Sequence, residues 1–345
     1  MRTTRVLVGI LAALLMLVVP VSAQDMPPLP GDLVVNYLNA PRGVAFDANG
    51  NLLIAVAGTG GEGVIEVPSM EDPAVMMSVS YGLSGSVLMM TPEGLSNPWI
   101  SGLPSYAMPT ETIGIYRAIP NGTSVWLVSS SSPQGAPTEA DTIVELDAET
   151  QRTLRVISLS NFEAVNNPDG NEIDSNVSDI AWGADGTMYI TDAGANALLS
   201  WTADAGLAVV AAWPDNSVPT SVEVAENGDL YVGFLGAGLA PGAGKIERWS
   251  GGALAETFGG LNAVSDILLD GDTLYAVQLV IFGEQGPGPG SVVSVTADGA
   301  TPVAEGLLAP FGIAKGPDGS LYVSFGTIAF APGMMGGVVK IAPGM

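Results

Sequence analysis

The sequence contains no cysteine and no histidine, and only 10 of its 345 residues are lysine or arginine. The lack of cysteine excludes disulfide bonds and thiolate chemistry. The lack of histidine excludes Ser-His-Asp triads, histidine-ligated zinc or copper, and acid–base catalysis by imidazole. Any metal site or catalytic site in this chain must therefore rely on oxygen ligands from Asp, Glu, Asn and hydroxyl side chains.

The sequence has 35 acidic residues against these 10 basic ones, which gives a formal net charge of −25. A field of this sign repels nucleic acids and anionic membrane surfaces, attracts cations, and helps to keep an extracellular protein soluble. We therefore expect no nucleic-acid partner. The partner that we expect is a small molecule or a protein, and we expect the chain to be a monomer.

Long apolar runs are absent except near the N-terminus, where residues 6–19 follow Arg2 and Arg5 and precede Val21-Ser22-Ala23. This pattern predicts a signal peptide over residues 1–23, with cleavage before Gln24 and export of the protein. The alternative is an uncleaved membrane anchor, but the run of 14 residues is short against the about 20 that a span needs. Cleavage would change the net charge to −27 and leave residues 24–30 as a short linker. We expect the mature chain to contain no membrane span.

A repeated unit occupies the rest of the chain. Its clearest copy begins at Val177 and reads as four short strands, VSDIAW, TMYITD, ALLSWT and LAVVAAW, with an Asp-Gly turn between the first two. The first strand and first turn recur six times, beginning near residues 41, 112, 177, 219, 264 and 310. We align the copies on six positions: Gly43, Gly114, Asp179, Ser221, Asp266 and Gly312. Repeats of this length predict stacked supersecondary units.

The ends of the chain complement each other. The sixth unit stops after its third strand, and residues 32–38 (DLVVNYL) precede the first unit where a fourth strand would lie. We therefore predict an all-β domain over residues 31–345, a six-bladed β-propeller of four-stranded blades whose ring is closed by the N-terminal strand completing the last blade. An open β-solenoid would give no reason for one missing and one additional strand. Residues 57–85 are expected to form a partly apolar loop on the rim.

The segment Asn161–Asn176 is the least repeat-like part of the chain. We predict a helical turn over Phe162–Asn166, capped by Asn161 and ended before Pro168. The remainder is rich in hard oxygen ligands of the kind that Ca²⁺ binds: Asn167, Asp169, Asn171, Glu172, Asp174 and Asn176. The spacing of an EF-hand is not met. Two interpretations stay open, a calcium site and a surface loop with Asx turns.

Several segments carry a family resemblance: FEAVNNPDGNEIDSN, ITDAGANALLSW, VPTSVEV, GDLYVGFL, AVAGTGGEG and LNAPRGVAFDANGNLLIA. Together they resemble the ScyD/ScyE family of exported bacterial propeller proteins over nearly all of the chain after the predicted signal peptide. DAGANALLSW also resembles NHL-type repeats, which are mostly interaction surfaces. The resemblance implies an exported propeller without established catalytic residues and, by analogy alone, a binding function.

The first strand of each blade is expected to line a central channel, so the residues that open these strands form the candidate site. The channel-mouth candidates are Arg42, Glu111, Asn176, Asp179, Thr220, Ser221, Glu223, Asn262 and Asp266. The metal-ligand candidates are Asp179, Asp266, Asn176, Asp169 and Asp174, and the expected ion is Ca²⁺.

Three interpretations of these channel residues stay open. They hydrate the channel and cap strand ends, they hold a divalent cation, or they hold a metal that polarises a lactone carbonyl in a hydrolase. We expect a non-catalytic binding or scaffold propeller with an unknown ligand; the alternative is a metal-dependent hydrolase such as a lactonase. A channel filled by Arg42, Ile113 and Phe311 would favour the scaffold.

Overall fold

The computed structural model describes residues 28–68, 74–108, 111–133, 136, 141–283, 286–328 and 335–342, and nearly all of its regular structure is β-strand. The predicted signal peptide lies outside these residues. Within them, no helix combines the length and the apolar character that crossing a membrane requires.

Strand β1 (Asp32–Leu38) precedes the first of six antiparallel sheets. Sheet one contains β2 (Pro41–Phe46), β3 (Leu52–Val56), β4 (Gly63–Pro68), β5 (Met76–Met90), β6 (Ser96–Ala107) and β7 (Thr112–Ile113). Sheet two contains β8 (Ile115–Asn121), β9 (Ser124–Ser129), β10 (Thr142–Asp147) and β11 (Thr153–Ser158). Helix α1 (Leu159–Asn166) follows. Sheet three contains β12 (Val177–Trp182), β13 (Met188–Asp192), β14 (Ala197–Thr202) and β15 (Gly206–Ala212).

The second half of the chain repeats this order. Sheet four contains β16 (Pro219–Val224), β17 (Leu230–Phe234), β18 (Gly244–Ser250) and β19 (Ala253–Leu261), with a 3₁₀ turn at Ala237–Leu239. Sheet five contains β20 (Val264–Asp270), β21 (Thr273–Gln278), β24 (Gly290–Thr296) and β25 (Gly299–Leu307), and a separate ribbon pairs β22 (Ile281–Gly283) with β23 (Gly286–Gly288). Sheet six contains β26 (Ile313–Lys315), β27 (Leu321–Phe325) and β28 (Gly336–Ile341), and β1 joins it beside β28.

A glycine-containing turn connects the first two strands of several sheets. In sheet three the Gly183 N–H donates to the Thr187 carbonyl and the Gly186 N–H donates to the Gly183 carbonyl. Gly186 has a φ of 84°, a conformation that glycine adopts at little cost. Sheets one, four and six repeat this turn with glycines at the same place. The repeated Asn-Gly and Asp-Gly pairs thus have a common structural cause.

Strand β1 pairs antiparallel with β28, the last strand of the described chain. In this ladder Leu33 lies opposite Val339 and Val35 lies opposite Val338. The predicted pairing of the N-terminal segment with the final repeat is therefore present in the structure.

Apolar clusters fill the interfaces between sheets. One cluster packs Trp126 and Val128 of sheet two against Ile180 and Ile190 of sheet three. Similar clusters join sheets one and two, three and four, four and five, five and six, and six and one. The strands β2, β8, β12, β16, β20 and β26, which we call the axial strands, contact one another in this order, and β26 also contacts β2. This all-β architecture of repeated four-stranded sheets is consistent with a β-propeller.

Two local predictions were wrong. Helix α1 begins at Leu159 and not at Phe162, and its N-cap residue is Ser158, which makes no side-chain capping bond. The insertion predicted as a loop over residues 57–85 contains paired strands, because β4 pairs with the first half of the long strand β5; its residues 69–73 lie outside the described residues. Alternation of apolar and polar residues in GVIEVP and MMSVSY supports this pairing.

Candidate functional site

The structure changes the register of sheet two. Arg117 pairs with Val128 directly after an irregularity in the ladder, just as Asp179 pairs with Thr191 and Asp266 with Val277 after irregularities in theirs. Arg117 is therefore the residue of sheet two that matches Asp179, and the predicted match at Gly114 was wrong. The sequence alignment placed Gly114 opposite Asp179 because two other copies, at Gly43 and Gly312, do have glycine at that position.

Sequence reasoning missed Arg117, although a signal was present. Arg117 and Asp266 each lie five residues before the glycine of a two-residue turn, at Gly122 and Gly271. Both glycines have positive φ, as such tight hairpins require. Counting back from this turn would have aligned Arg117 with Asp266.

Arg117 lies at the centre of a buried cluster of charges. Its Nη1 donates to Asp266 Oδ2 at 2.6 Å and its Nη2 donates to Asp266 Oδ1 at 3.0 Å, a bidentate pair. Its Nε lies 3.3 Å from Asp179 Oδ1 and donates to the Ser178 carbonyl at 3.3 Å. Only 4% of Arg117 is exposed. The guanidinium of sheet two thus binds carboxylates of sheets three and five.

The two aspartates also connect neighbouring sheets through the backbone. Asp179 accepts the N–H of Ile180 at 2.9 Å and the N–H of Val222 in sheet four at 3.2 Å. Asp266 accepts the N–H of Ile267 at 3.0 Å and the N–H of Ile313 in sheet six at 2.9 Å. The cluster around Arg117 therefore links sheets two to six.

Burial and mutual repulsion shift the acidity of this cluster. Burial opposes the charged form of Arg117, but Asp179 and Asp266 outweigh it and raise the pKa of the guanidinium. Burial raises the pKa of Asp179 to about 7, although Arg117 acts in the opposite direction. Burial, reinforced by Asp179 and Asp266, raises the pKa of Glu223 to about 8. Glu223, which is partly buried, is therefore mostly protonated at neutral pH.

A second arginine lies fully buried near the same axis. The Arg42 guanidinium carbon lies 4.7 Å from the ring centroid of Tyr116 and 4.9 Å from that of Phe311, so the cation lies against two aromatic rings. Arg42 Nη2 donates to Glu111 Oε1 at 3.2 Å and to the Thr112 carbonyl at 2.7 Å. Ile113 and Phe311 are also buried.

An apolar cluster includes both aromatic rings that contact Arg42. Tyr116 and Phe311 belong to it, together with residues that precede an axial strand or follow the second strand of a sheet: Ala193, Val218, Leu235, Ala263, Leu279, Val280, Ala309 and Ile328. The channel-filling residues Arg42, Ile113 and Phe311 named above are thus all buried in the structure.

Hydroxyl side chains one residue before the positions of Asp179, Ser221 and Asp266 connect sheets three to six. Ser178 Oγ donates to the Pro219 carbonyl at 3.1 Å, Thr220 Oγ1 to the Val264 carbonyl at 2.7 Å, and Ser265 Oγ to the Phe311 carbonyl at 2.9 Å. Ser221 is fully buried and its Oγ has no hydrogen-bond partner among the described residues. Thr220 thus bonds to the protein itself and not towards an open channel.

The two asparagine candidates lie in loops. Asn176 Oδ1 accepts the Ser130 hydroxyl at 2.6 Å, and its N–H donates to Asp192 at 2.7 Å. Asn262 Oδ1 accepts the Gly242 N–H at 3.0 Å. Both side chains thus join the ends of neighbouring segments of the chain.

Acidic residues surround Glu163 in the segment before sheet three. Glu163 is 1% exposed, and its carboxylate oxygens have no side-chain hydrogen-bond partner among the described residues. Burial, with the charges of Asp192, Asp169 and Asp174, raises its pKa to about 8. The Asp169 carboxylate accepts hydrogen bonds from the backbone N–H and the side-chain amide of Asn171 and from the side-chain amide of Asn196.

These residues do not fit a metal ion. Within the described ranges, no group of three or more acidic side chains is arranged to hold one. At the axis, Arg117 already binds Asp179 and Asp266. Ca²⁺ needs six to eight oxygen ligands at about 2.3–2.6 Å, and a guanidinium between the carboxylates prevents that convergence. We therefore derive no reaction step through a metal.

Open clefts lie between sheets, away from the axial cluster. The larger cleft, of about 500 Å³, lies between sheets one and two and includes Phe46, Asn49, Met89, Trp99 and Glu149. A smaller cleft of about 310 Å³ lies between sheets three and four, beside Tyr189, Leu230 and Trp249. The larger one lies within the size range of small-molecule sites.

Comparison with solved structures identifies β-propeller-like proteins. A gluconolactonase from Xanthomonas campestris has a TM-score of 0.56 and 11% identity, with 89% of this chain and 88% of that chain covered. The calcium-binding protein regucalcin from Agrobacterium tumefaciens has a TM-score of 0.51 and 12% identity, with 86% of each chain covered. A Thermus protein described as a glucose dehydrogenase has a TM-score of 0.58 and 15% identity, with 91% and 100% covered. At these identities the likeness concerns the fold.

No protein-family model matches the chain, and no curated protein matches it. The resemblance to the ScyD/ScyE family thus stays a prediction.

Proposed function

We propose that the six sheets are the blades of one closed propeller, with β1 completing the sixth. The apolar clusters between consecutive sheets, including sheets six and one, support this proposal. We also propose that residues 1–23 direct export and are removed. Mass spectrometry of the protein secreted by a bacterial host tests the cleavage: a mature chain that begins at Gln24 is expected, and an intact Met1 N-terminus would contradict it.

We propose that the protein is a non-catalytic binding or scaffold module outside the cytoplasm. One observation carries this proposal: Arg117, Asp179 and Asp266 at the axis are buried and bonded to one another. Such groups hold sheets together and leave little capacity for a substrate. We place a small ligand in the larger cleft, beside Trp99.

Ligand screening by thermal shift tests the binding function. Compounds that raise the Tm of the mature protein are expected to lose their effect in the variant Trp99→Ala and to keep it in Trp249→Ala, whose indole lies in the smaller cleft. An effect that both variants keep would place the ligand elsewhere and contradict this choice of cleft.

A hydrolase is the second candidate. The similarity to a gluconolactonase and to calcium-binding regucalcin favours it over a scaffold. Within this chain, Glu223 is the group suited to it, because its raised pKa of about 8 keeps a proton available near neutral pH. In this function Glu223 would transfer a proton beside Arg117, without a metal.

Proton release from δ-gluconolactone separates the two functions. The assay uses mature protein with added Ca²⁺, Mg²⁺ or a chelator, and compares wild type with Glu223→Gln and with Glu226→Gln, whose side chain is exposed in the adjoining turn. Turnover that Glu223→Gln abolishes and Glu226→Gln retains would make the protein an enzyme. Rates equal to buffer under every condition are expected of the binding module.

A further inference from the structure

The axial position that holds Arg117 is occupied differently in each sheet. The six matched residues are Gly43, Arg117, Asp179, Ser221, Asp266 and Gly312. One cation therefore stands among two aspartates, one serine and two glycines. The chain has only 10 basic residues, and it places one of them where oxygen ligands of neighbouring sheets converge.

The surroundings of Arg117 are shaped for its side chain. A Cβ atom added at Gly43 would lie 2.5 Å from Arg117 Cδ and 2.7 Å from the Tyr116 carbonyl oxygen. At Gly312 an added Cβ would lie 2.8 Å from Gly43 Cα. Both glycines are therefore required for the close approach of the strands around the arginine. Gly43 thus leaves the space that the Arg117 side chain occupies.

We infer that Arg117 is a permanent internal cation that binds the axial carboxylates in place of a divalent metal ion and excludes such ions from them. A guanidinium keeps its charge at any physiological pH and matches a carboxylate bidentately. The bidentate pair with Asp266 and the contact with Asp179 occupy the oxygens that an ion would need. The backbone N–H groups of Val222 and Ile313 fix those carboxylates in place.

Removing the guanidinium should convert this cluster into a cation site. In Arg117→Met, Asp179 and Asp266 lose their counter-charge, and two buried carboxylates without a cation should lower the Tm measured with a chelator by many degrees. Ca²⁺ at millimolar concentration should then restore part of the lost Tm. The double variant Arg117→Met/Asp179→Asn should lose this restoration. The Tm of wild type should not respond to Ca²⁺ through Asp179, so wild type and Asp179→Asn should respond alike.

A matched control is available on the surface. Arg248 also lies between two carboxylates, at 3.0 Å from Asp229 and 3.2 Å from Glu256, but it is 30% exposed. Arg248→Met should lower the Tm less than Arg117→Met and gain no Ca²⁺ response, because Arg248 is itself partly exposed and water reaches the Glu256 carboxylate, which is 34% exposed. If Arg117→Met does not fold, Arg117→Lys provides the test: it should fold with a lower Tm and still show no Ca²⁺ response, since the positive charge is kept.

Three outcomes would overturn the inference. The first is isothermal titration in which wild type binds Ca²⁺ and either Asp179→Asn or Asp266→Asn abolishes the binding. The second is an Arg117→Met protein that folds, is destabilised and gains no response to Ca²⁺ or Mg²⁺. The third is a Tm of Arg117→Lys that rises with Ca²⁺. None of these readouts depends on an enzymatic activity, so they test the inference independently of the proposed function.

Discussion

Three hydroxyl side chains occupy the same position in consecutive axial strands and bond to the next sheet. Ser178, Thr220 and Ser265 each donate to a backbone carbonyl of the following axial strand or of the segment directly before it. Because the donors and acceptors are buried, removal of the hydroxyl leaves a carbonyl without its partner. Each of these bonds therefore contributes to the contact between sheets.

We expect Thr220→Val to lower stability by about 1–2 kcal/mol, since a buried hydrogen bond is lost with little change in shape. Chemical denaturation checks this. The control is Thr296→Val, whose hydroxyl bonds to Gly299 in an exposed turn and should matter far less. Equal losses in the two variants would contradict a special role of Thr220.

Glu163 should make stability depend on pH. Its pKa is raised from 4.5 to about 8 by burial and by Asp192, Asp169 and Asp174. The folded protein therefore keeps a proton that the unfolded chain releases above pH 4.5. This contribution is fully present below pH 4.5 and is lost as pH rises through about 8.

We expect Glu163→Gln to weaken the fall in Tm between pH 4.5 and about 8, because the amide mimics the protonated acid and does not titrate. Scanning calorimetry across this range, with Glu226→Gln as the exposed control, measures the difference in slope. An unchanged slope in Glu163→Gln would show that the carboxyl is ionised in the folded state.

At the residue scale, the sequence predicted some of the axial residues and missed one of them. Asp179 and Asp266 were expected from the sequence to lie at the axis, and the structure brings both to one guanidinium. Arg117 itself was not expected there, because the alignment matched Gly114 to Asp179, whereas the β8–β9 ladder places Arg117, three residues later, at that position. Its partners are 62 and 149 positions away in sequence, and local patterns carry no information on such contacts.

At the scale of elements, β1 joins the two ends of the chain. Val35 is buried against the cluster that also contains Val44, Ile54 and Tyr322, so this strand contributes to the interface between sheets six and one. Without β1, the edge of β28 would expose its unpaired N–H and C=O groups. The strand thus protects an edge and fills a core at the same time.

We expect Val35→Ala to lower stability by about 2 kcal/mol, because it removes buried methyl groups from a packed interface. Leu33→Ala, in the same strand but 44% exposed, should cost much less. Thermal denaturation of both variants checks this. Similar effects at the two positions would contradict the packing of β1 against sheet one.

Elements with local signals were predictable from sequence, whereas elements that depend on distant partners were not. The four strands of sheet three follow the predicted segments, since alternation and Gly-bearing turns specify them locally. Strand β4 was missed because its apolar residues were attributed to a loop, and only its partner in β5 makes it a strand. Helix α1 was placed too late because Ser158 caps it without the side-chain bond that sequence signals describe.

At the scale of the whole molecule, excess negative charge opposes compaction. With 35 acidic and 10 basic residues, repulsion between like charges outweighs exposed ion pairs such as Lys315–Asp270. Salt weakens both, but the repulsive pairs are far more numerous. We therefore expect the Tm of the mature protein to rise as NaCl increases from near zero to about 0.15 M, where the screening length falls to about 8 Å.

Thermal scans in chelator-treated NaCl series measure this rise without interference from divalent ions. A triple variant, Glu149→Lys/Asp204→Lys/Glu226→Lys, provides the matched comparison, since all three side chains are exposed and each substitution makes the net charge less negative. Its Tm at low salt should exceed that of wild type, and its dependence on NaCl should be weaker. A wild-type Tm that falls with salt would contradict this prediction: it would mean that attraction within exposed ion pairs such as Lys315–Asp270 outweighs the repulsion of the net charge, because buried pairs are screened little.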